Sequence, residues 1–149
     1  MSAESGIDEG RRLVVFHLGD EEYGVPITLV QEIIRHTPPR PVPGSAPHVQ
    51  GVINLRGRII PVIDLRSRFG IAGDRPADAK VVITTVDGVT IGVVVDEVRE
   101  VLTLGADVFE PAPAGTDADG HVEAVAKLDG RLVVVLDLVR LLHEGALAA

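Results

Sequence analysis

The amino-acid sequence predicts an all-β fold of two pseudo-symmetric small barrels packed together. Apolar residues make up 46% of the 149 residues and aromatic residues only 3%. The core must therefore come from Val, Ile, Leu and Ala, a bias that favours strands. Short apolar runs of strand length recur along the chain, separated by Gly- and Asp-containing breaks. The chain also repeats itself. Gly24 against Gly92 sets a shift of 68 residues, at which 13–34 run against 81–102 without a gap. Val14/Val82, Val25/Val93, Val30/Val98 and Glu32/Glu100 are then identical. Gly57 against Gly130 sets a shift of 73, and 49–69 match 122–142. Val52/Val125, Leu55/Leu128, Arg58/Arg131, Val62/Val135, Asp64/Asp137 and Leu65/Leu138 are identical there. The two shifts differ only in the connectors. This is a tandem duplication of a unit of about four or five strands and one short helix. A unit below roughly 70 residues buries little alone, so the two must share a core. Closure into barrels removes exposed sheet edges.

In chain order, residues 1–11 read as a flexible arm, 12–143 as the folded domain and 144–149 as a tail. The barrel subdomains are expected mainly from 12–70 and 80–143, with strand exchange between them left open. Residues 13–18 and 22–27 form a first hairpin broken at Gly19-Asp20. Pro26 lacks an N–H, so the second strand should lie at an edge or end there. Residues 28–35 read as a short amphipathic helix, with Thr28 as N-cap and Leu29, Val30, Ile33 and Ile34 on one face. The Pro-rich stretch 37–47 is an extended connector. A long hairpin over 52–66 turns at Arg56-Gly57 and leads into a helical turn at 65–69. The pattern then restarts. Strands at 81–86 and 89–95 flank Asp87-Gly88, a favoured two-residue turn. Residues 96–102 read as a helix-like turn capped by Asp96. A second connector, 105–120, precedes the second long hairpin and a terminal helical turn at 138–143.

Several function classes lose support. A net charge of −8 with a pI near 5.0 opposes nucleic acid as the main partner. The absence of cysteine leaves no disulfide or thiolate nucleophile and fits a reducing compartment. No apolar stretch approaches the roughly 20 residues of a membrane span, and no basic or apolar leader opens the chain. The expectation is a cytoplasmic protein without direct membrane insertion. His17, His36, His48, His121 and His143 are scattered without metal-ligand spacing. No Gly-rich phosphate loop is present. Asp64 and Asp137 admit a paired-carboxylate reading, but each precedes a helical run where Asp caps backbone N–H groups. The stretch 38–41, Pro-Pro-Arg-Pro, resembles a ligand for a Pro-binding groove, yet a connector needs no partner. Nothing supports an enzyme, a metal or a cofactor.

Surfaces remain, and Arg56 is the leading candidate. Its match in the second unit is Asp129, a residue that tolerates left-handed dihedrals. If Arg56 takes a positive φ, it incurs a penalty of order 1 kcal/mol. If the turn is type I with a Gly bulge, Gly57 takes the left-handed place instead. Either way the guanidinium is free to meet a carboxylate, from a partner or from Glu32. The stretch 28–35 is the second candidate, with Ile34 placed to line a groove between the barrels.

Residues 51–66, Gly-Val-Ile-Asn-Leu-Arg-Gly-Arg-Ile-Ile-Pro-Val-Ile-Asp-Leu-Arg, closely resemble the signature of the CheW-like domain of bacterial chemotaxis coupling proteins. Tyr23-Gly24-Val25-Pro26-Ile27 with Val30-Gln31-Glu32-Ile33 matches the family's first half, and Gly92-Val93-Val94-Val95-Asp96 with Val98 and Val101-Leu102 its second. The resemblance covers roughly 12–142. It implies two SH3-like five-stranded barrels side by side and a non-enzymatic scaffold without cofactors. That scaffold couples the cytoplasmic tips of chemoreceptors to the regulatory domain of the histidine kinase CheA and is recruited to membrane-associated receptor arrays. It implies receptor-coupling positions at Val30, Glu32, Ile34, Gly51, Arg56 and Val101. A kinase-facing tip falls at Leu55, Arg56, Gly57 and Arg58. The alternative from another class is a small-barrel protein that binds a ligand or nucleic acid, which would need a basic, aromatic groove.

Overall fold

The computed structural model describes residues 11–113 and 121–141, which form eleven strands and two short helices. The strands are β1 (Arg11–Leu18), β2 (Glu21–Pro26), β3 (Val30–Arg35), β4 (Val49–Leu55), β5 (Arg58–Asp64), β6 (Lys80–Val86), β7 (Val89–Val95), β8 (Glu97–Leu104), β9 (Phe109–Glu110), β10 (Val122–Leu128) and β11 (Arg131–Leu136). Helices α1 (Leu65–Phe69) and α2 (Leu138–Leu141) each follow a long hairpin. A six-stranded sheet runs β8-β1-β2-β11-β10-β9, and a five-stranded sheet runs β3-β6-β7-β5-β4. The fold is all-β, and the two-residue β9 is what takes the first sheet beyond five strands.

The pairing registers carry the duplication into three dimensions. Leu13 faces Leu102, and 68 residues later on one strand and earlier on the other, Val81 faces Ile34. Val15↔Glu100 and Phe16↔Val98 match Ile83↔Glu32 and Thr84↔Val30, so even the bulge in the ladder recurs. The parallel pairs match as well, Val62↔Gly92 with Val135↔Gly24. Each sheet combines hairpins from both halves. The β1–β2 hairpin lies between β8 and β11, and the β6–β7 hairpin lies between β3 and β5.

Three apolar clusters follow from the alternation of side chains along these strands. Leu13, Val15, Ala126, Val133 and Val135 fill the six-stranded unit, and Ile60, Val62, Val81, Ile83 and Val94 fill the five-stranded one. The largest cluster is shared. Val14, Phe16 and Val25 from one sheet meet Ile63, Val82 and Val93 from the other, closed by Leu65 and Leu138 of the two helices. Successive residues of one strand thus serve different cores, which is why these strands read as unbroken apolar runs.

Some expectations need correction. Residues 28–35 are not a helix. A single 3-10 turn, Ile27–Leu29, without a side-chain cap leads straight into β3. The β-branched Val30, Ile33 and Ile34 favour the extended chain, and pairing with β6 supplies the hydrogen bonds a lone helical turn could not. Residues 97–102 are likewise strand β8, and Asp96 caps no helix. Arg11, assigned to the arm, opens β1, where its guanidinium lies 4.8 Å over the Phe109 ring and 2.9 Å from Glu123. The rest of the arm, the tail 144–149, the connector's 114–120 and residues 142–143 of the last helical turn, with His143, lie outside the described residues. Pro26 ends β2 within the interior of its sheet. The capping readings agree with the structure: Asp64 accepts from the Arg66 N–H and Asp137 from the Arg140 N–H, both at 3.1 Å.

Candidate interaction surface

The β4–β5 turn is where sequence and backbone preference part. Arg56 has φ of 52° and Gly57 of 86°, both left-handed, as in the two-residue turn at Asp87 and Gly88. Of the two turns considered for Arg56, the positive-φ form is the one present. Asn54 steadies it by accepting the Gly57 N–H at 2.8 Å. Among the described residues, only Arg56 and Asp87 are non-glycine with positive φ. Asp129, the residue chemically suited to that conformation, does not adopt it, whereas Arg56 does at a cost of about 1 kcal/mol.

From the tip, the Arg56 guanidinium ion-pairs with Glu32 on β3. The Arg56 side chain is 69% exposed and that of Glu32 30%. The two units resolve the same charges differently. In the six-stranded sheet, Arg131 binds Glu22 at 2.5 Å and Glu100 at 2.7 Å. These hydrogen bonds, Glu22 first and then Glu100, raise the Arg131 pKa, and the bond from Arg131 leads in lowering that of Glu22. In the five-stranded sheet Arg58 is the counterpart of Arg131, Glu32 of Glu100 and Thr90 of Glu22. Arg58 donates to Thr90 Oγ1 at 2.8 Å, while Glu32 is taken by Arg56. The exchange of Glu for Thr, together with the added Arg56, leaves two exposed guanidiniums on one hairpin end of an acidic protein.

Leu55 and Ile34 are half-buried against the five-stranded unit's core, and Val30 against the shared core. Gly57 is exposed at the turn. Gly51 is buried, with φ of 150°, and a Cβ there would lie 2.2 Å from the Arg40 carbonyl oxygen. It packs directly on the Arg40 backbone. Val101 is 48% exposed on β8, an outer strand of the other sheet, and its counterpart by the 68-residue shift is Ile33, also exposed at 40%. The structure thus gathers Glu32, Leu55, Arg56, Gly57 and Arg58 at one hairpin and sets Val101 on another sheet.

Two features escaped the sequence reading. Ile59, 64% exposed, and its counterpart Leu132, 51% exposed, follow the two long-hairpin turns. Their signal was present in the repeat, an apolar residue beside a turn in both copies. The second is a buried ion pair. Arg66 on α1 binds Asp96 twice, Nε to Oδ1 at 2.8 Å and Nη2 to Oδ2 at 2.6 Å. Asp96 also accepts the Gly19 N–H at 2.7 Å, tying the β1–β2 turn to α1. Burial pushes the Asp96 carboxyl up, but the bonds from Arg66 and Gly19 outweigh it and leave the pKa lowered. Nothing in the spacing of residues 66 and 96 announces this pair.

Among the described residues no group of three or more His, Asp or Glu is placed to hold a metal. His17 lies in β1 with Nε2 buried and making no hydrogen bond. Among the described residues no helix is long and apolar enough to cross a membrane.

Comparison with known proteins agrees over nearly the whole chain. A chemotaxis protein CheW of Bacillus subtilis is 36% identical over 140 residues, covering 92% of this chain and 88% of that protein. Another, of Klebsiella aerogenes, is 36% identical over 151 residues, covering 99% and 91%. The crystal structure of the scaffolding protein TtCheW from Thermoanaerobacter tengcongensis superposes with a TM-score of 0.81 at 35% identity, covering 86% of this chain and 89% of that one. The CheW-like domain model matches residues 12–146, and with the duplicated all-β fold and the 51–66 signature, the chain belongs to the CheW-like domain family.

Proposed function

We propose that this protein is a non-enzymatic, cytoplasmic adaptor that couples chemoreceptor tips to the regulatory domain of the histidine kinase CheA within membrane-associated receptor arrays. The observation that carries the reading is the β4–β5 turn. Arg56 keeps a strained left-handed backbone that an Asp or Asn would hold at less cost, so the guanidinium is what the position requires. Arg56, Arg58 and Gly57, with half-buried Leu55 beneath them, form the kinase-facing tip. Exposed Ile59 beside them adds an apolar contact, the mixture of cationic rim and apolar centre that protein interfaces use. Receptor coupling falls to Glu32, Arg56, Val30 and Ile34 on and around β3, and to Val101 on β8, while Gly51 contributes through the backbone it packs against. Kinship to proteins named for chemotaxis and for scaffolding supports the reading.

A ligand- or nucleic-acid-binding barrel fits less well. Phe16, Tyr23 and Phe69 stack on one another, with centroids 6.1 and 5.6 Å apart, so these rings offer no platform for bases. The deciding experiment is co-purification with the CheA regulatory domain and with a receptor cytoplasmic fragment, using wild-type and Arg56→Asp protein. Capture of both partners by wild type, weakened at least tenfold in the variant, is expected. A folded wild-type protein that retains neither partner would overturn the proposal.

A further inference from the structure

One side of each sheet is closed by a short charged-and-proline segment at the same position of the repeat. In the five-stranded sheet β4 and β3 are the two outer strands, and β4 is the one that is capped. Its Val52 faces Pro61 on the inner side and turns both backbone groups outward. Arg40 meets them, its N–H donating to the Val52 carbonyl and its carbonyl accepting from the Val52 N–H, both at 2.9 Å. In the six-stranded sheet β10 is the counterpart of β4, and Val125 is the counterpart of Val52 at the 73-residue shift. Val125 is paired by Glu110 of β9. The residue after Arg40 is Pro41 and the residue after Glu110 is Pro111.

We infer that 37–47 and 109–113 are edge caps, built to keep β4 and β10 from pairing with the same strands of a second copy of this chain. Unpaired strand edges are templates for such association. Arg40 spends its N–H inward, and the neighbours whose backbone turns outward, Pro39 and Pro41, have no N–H to offer. The cap therefore satisfies β4 at Val52 and presents no donor ladder of its own. The strap is anchored at both ends, by the His36 N–H on the Ala79 carbonyl at 2.9 Å and the Val49 N–H on the Ala46 carbonyl at 3.0 Å. Gly51 is its positioning residue. A Cβ at 51 would lie 2.2 Å from the Arg40 oxygen and 2.6 Å from its carbonyl carbon, backbone atoms that move only if the strap moves. This inference is independent of the coupling reading.

Two variants of the full chain test it. Gly51→Val displaces the strap sterically, and Arg40→Pro removes the inward N–H while leaving β4 unchanged. Hydrogen exchange at the Val52 amide and sedimentation velocity over a concentration series are read together, with circular dichroism to establish folding. Self-association at least tenfold stronger than wild type is expected for both, and in Gly51→Val, which pushes the Arg40 carbonyl off the Val52 N–H, Val52 exchange about fivefold faster or more, the scale of one lost hydrogen bond. Should Gly51→Val fail to fold, Arg40→Pro decides alone. A folded Arg40→Pro without stronger association overturns the cap, as does a folded Gly51→Val with unchanged Val52 protection or unchanged association.

Discussion

Arg56 holds Glu32 from a left-handed backbone, so an ion pair on the surface is joined to strain in the turn that presents it. The two effects are of similar size and opposite sign. An exposed pair contributes about 0–1 kcal/mol, and the positive φ costs an Arg about 1 kcal/mol or more. Arg56→Asn should therefore leave stability within about 1 kcal/mol of wild type, because Asn accepts the left-handed region. Arg56→Val also loses the pair and puts a β-branched residue where it fits worst, and should fall below Arg56→Asn by about 1 kcal/mol or more. Urea unfolding of the three proteins gives the ranking; a loss beyond about 2 kcal/mol in Arg56→Asn would mean that the side chain is structural.

Arg66 and Asp96 behave otherwise, because their side chains are only 12% and 9% exposed. Removing one partner breaks a largely buried pair at a cost toward the lower end of about 3–5 kcal/mol, since Arg66 Nη1 keeps the Ala72 and Gly73 carbonyls at 2.9 and 3.3 Å. Asp96→Asn is expected to destabilise in that range at neutral pH. The sign with pH follows from the lowered Asp96 carboxyl. Below about pH 4, the unfolded carboxylate range, the unfolded chain binds a proton that the folded one resists. Stability contributed by Asp96 is thus full above that pH and is lost as pH falls through the folded pKa. Urea midpoints measured from pH 7 to pH 3 should drop steeply in wild type and less in Asp96→Asn.

The two units make a further pair of substitutions informative. Arg131 binds two carboxylates, whereas its counterpart Arg58 binds one hydroxyl. Hydrogen bonds to charged groups contribute about 1.5–3 kcal/mol, reduced where water reaches them. Arg131→Met should cost about 1–2 kcal/mol, and Arg58→Met within about 0.5 kcal/mol, as for an ordinary surface change. Thermal unfolding of both variants checks this, and equal losses would show that the asymmetry of the two networks has no energetic consequence.

How far the fold was legible depended on whether a signal was local or repeated. The hairpin at Asp87-Gly88 and the caps at Asp64 and Asp137 rest on contacts within a few residues, and the sequence expectation matches the structure there. The repeat carried information about distant pairings, because Val81↔Ile34 and Leu13↔Leu102 are one contact written twice. Residues 28–35 misled because Leu29, Val30, Ile33 and Ile34 have helical spacing, yet β3 is decided by the β6 edge beside it. Of the candidate site, Arg56 stood out because its repeat partner is Asp129. The buried Arg66–Asp96 pair had no such trace: by the shifts of 73 and 68, its counterparts are Val139 and Thr28, so the repeat was silent.

Apart from the two-residue β9–β10 pairing, every ladder between strands that do not share a hairpin crosses from one half of the chain to the other: β1 with β8, β2 with β11, β3 with β6, and β5 with β7. Within the first half only the β1–β2 and β4–β5 hairpins keep their partners, and an isolated hairpin is marginally stable at best in water. The shared cluster, with Phe16 and Leu18 from one half and Ile91 and Val95 from the other, is lost as well. Cutting the chain in the loop between α1 and β6 should therefore leave the two pieces associated, since the cut severs no ladder and little packing. Each half alone should be unfolded at 25 °C, and mixing the halves should restore the strand signal in circular dichroism. Size-exclusion chromatography of the nicked protein, followed by separation in urea and remixing, reads all three states. A half that folds alone with a cooperative unfolding transition would show that the cross-half pairings are not what stabilises the sheets.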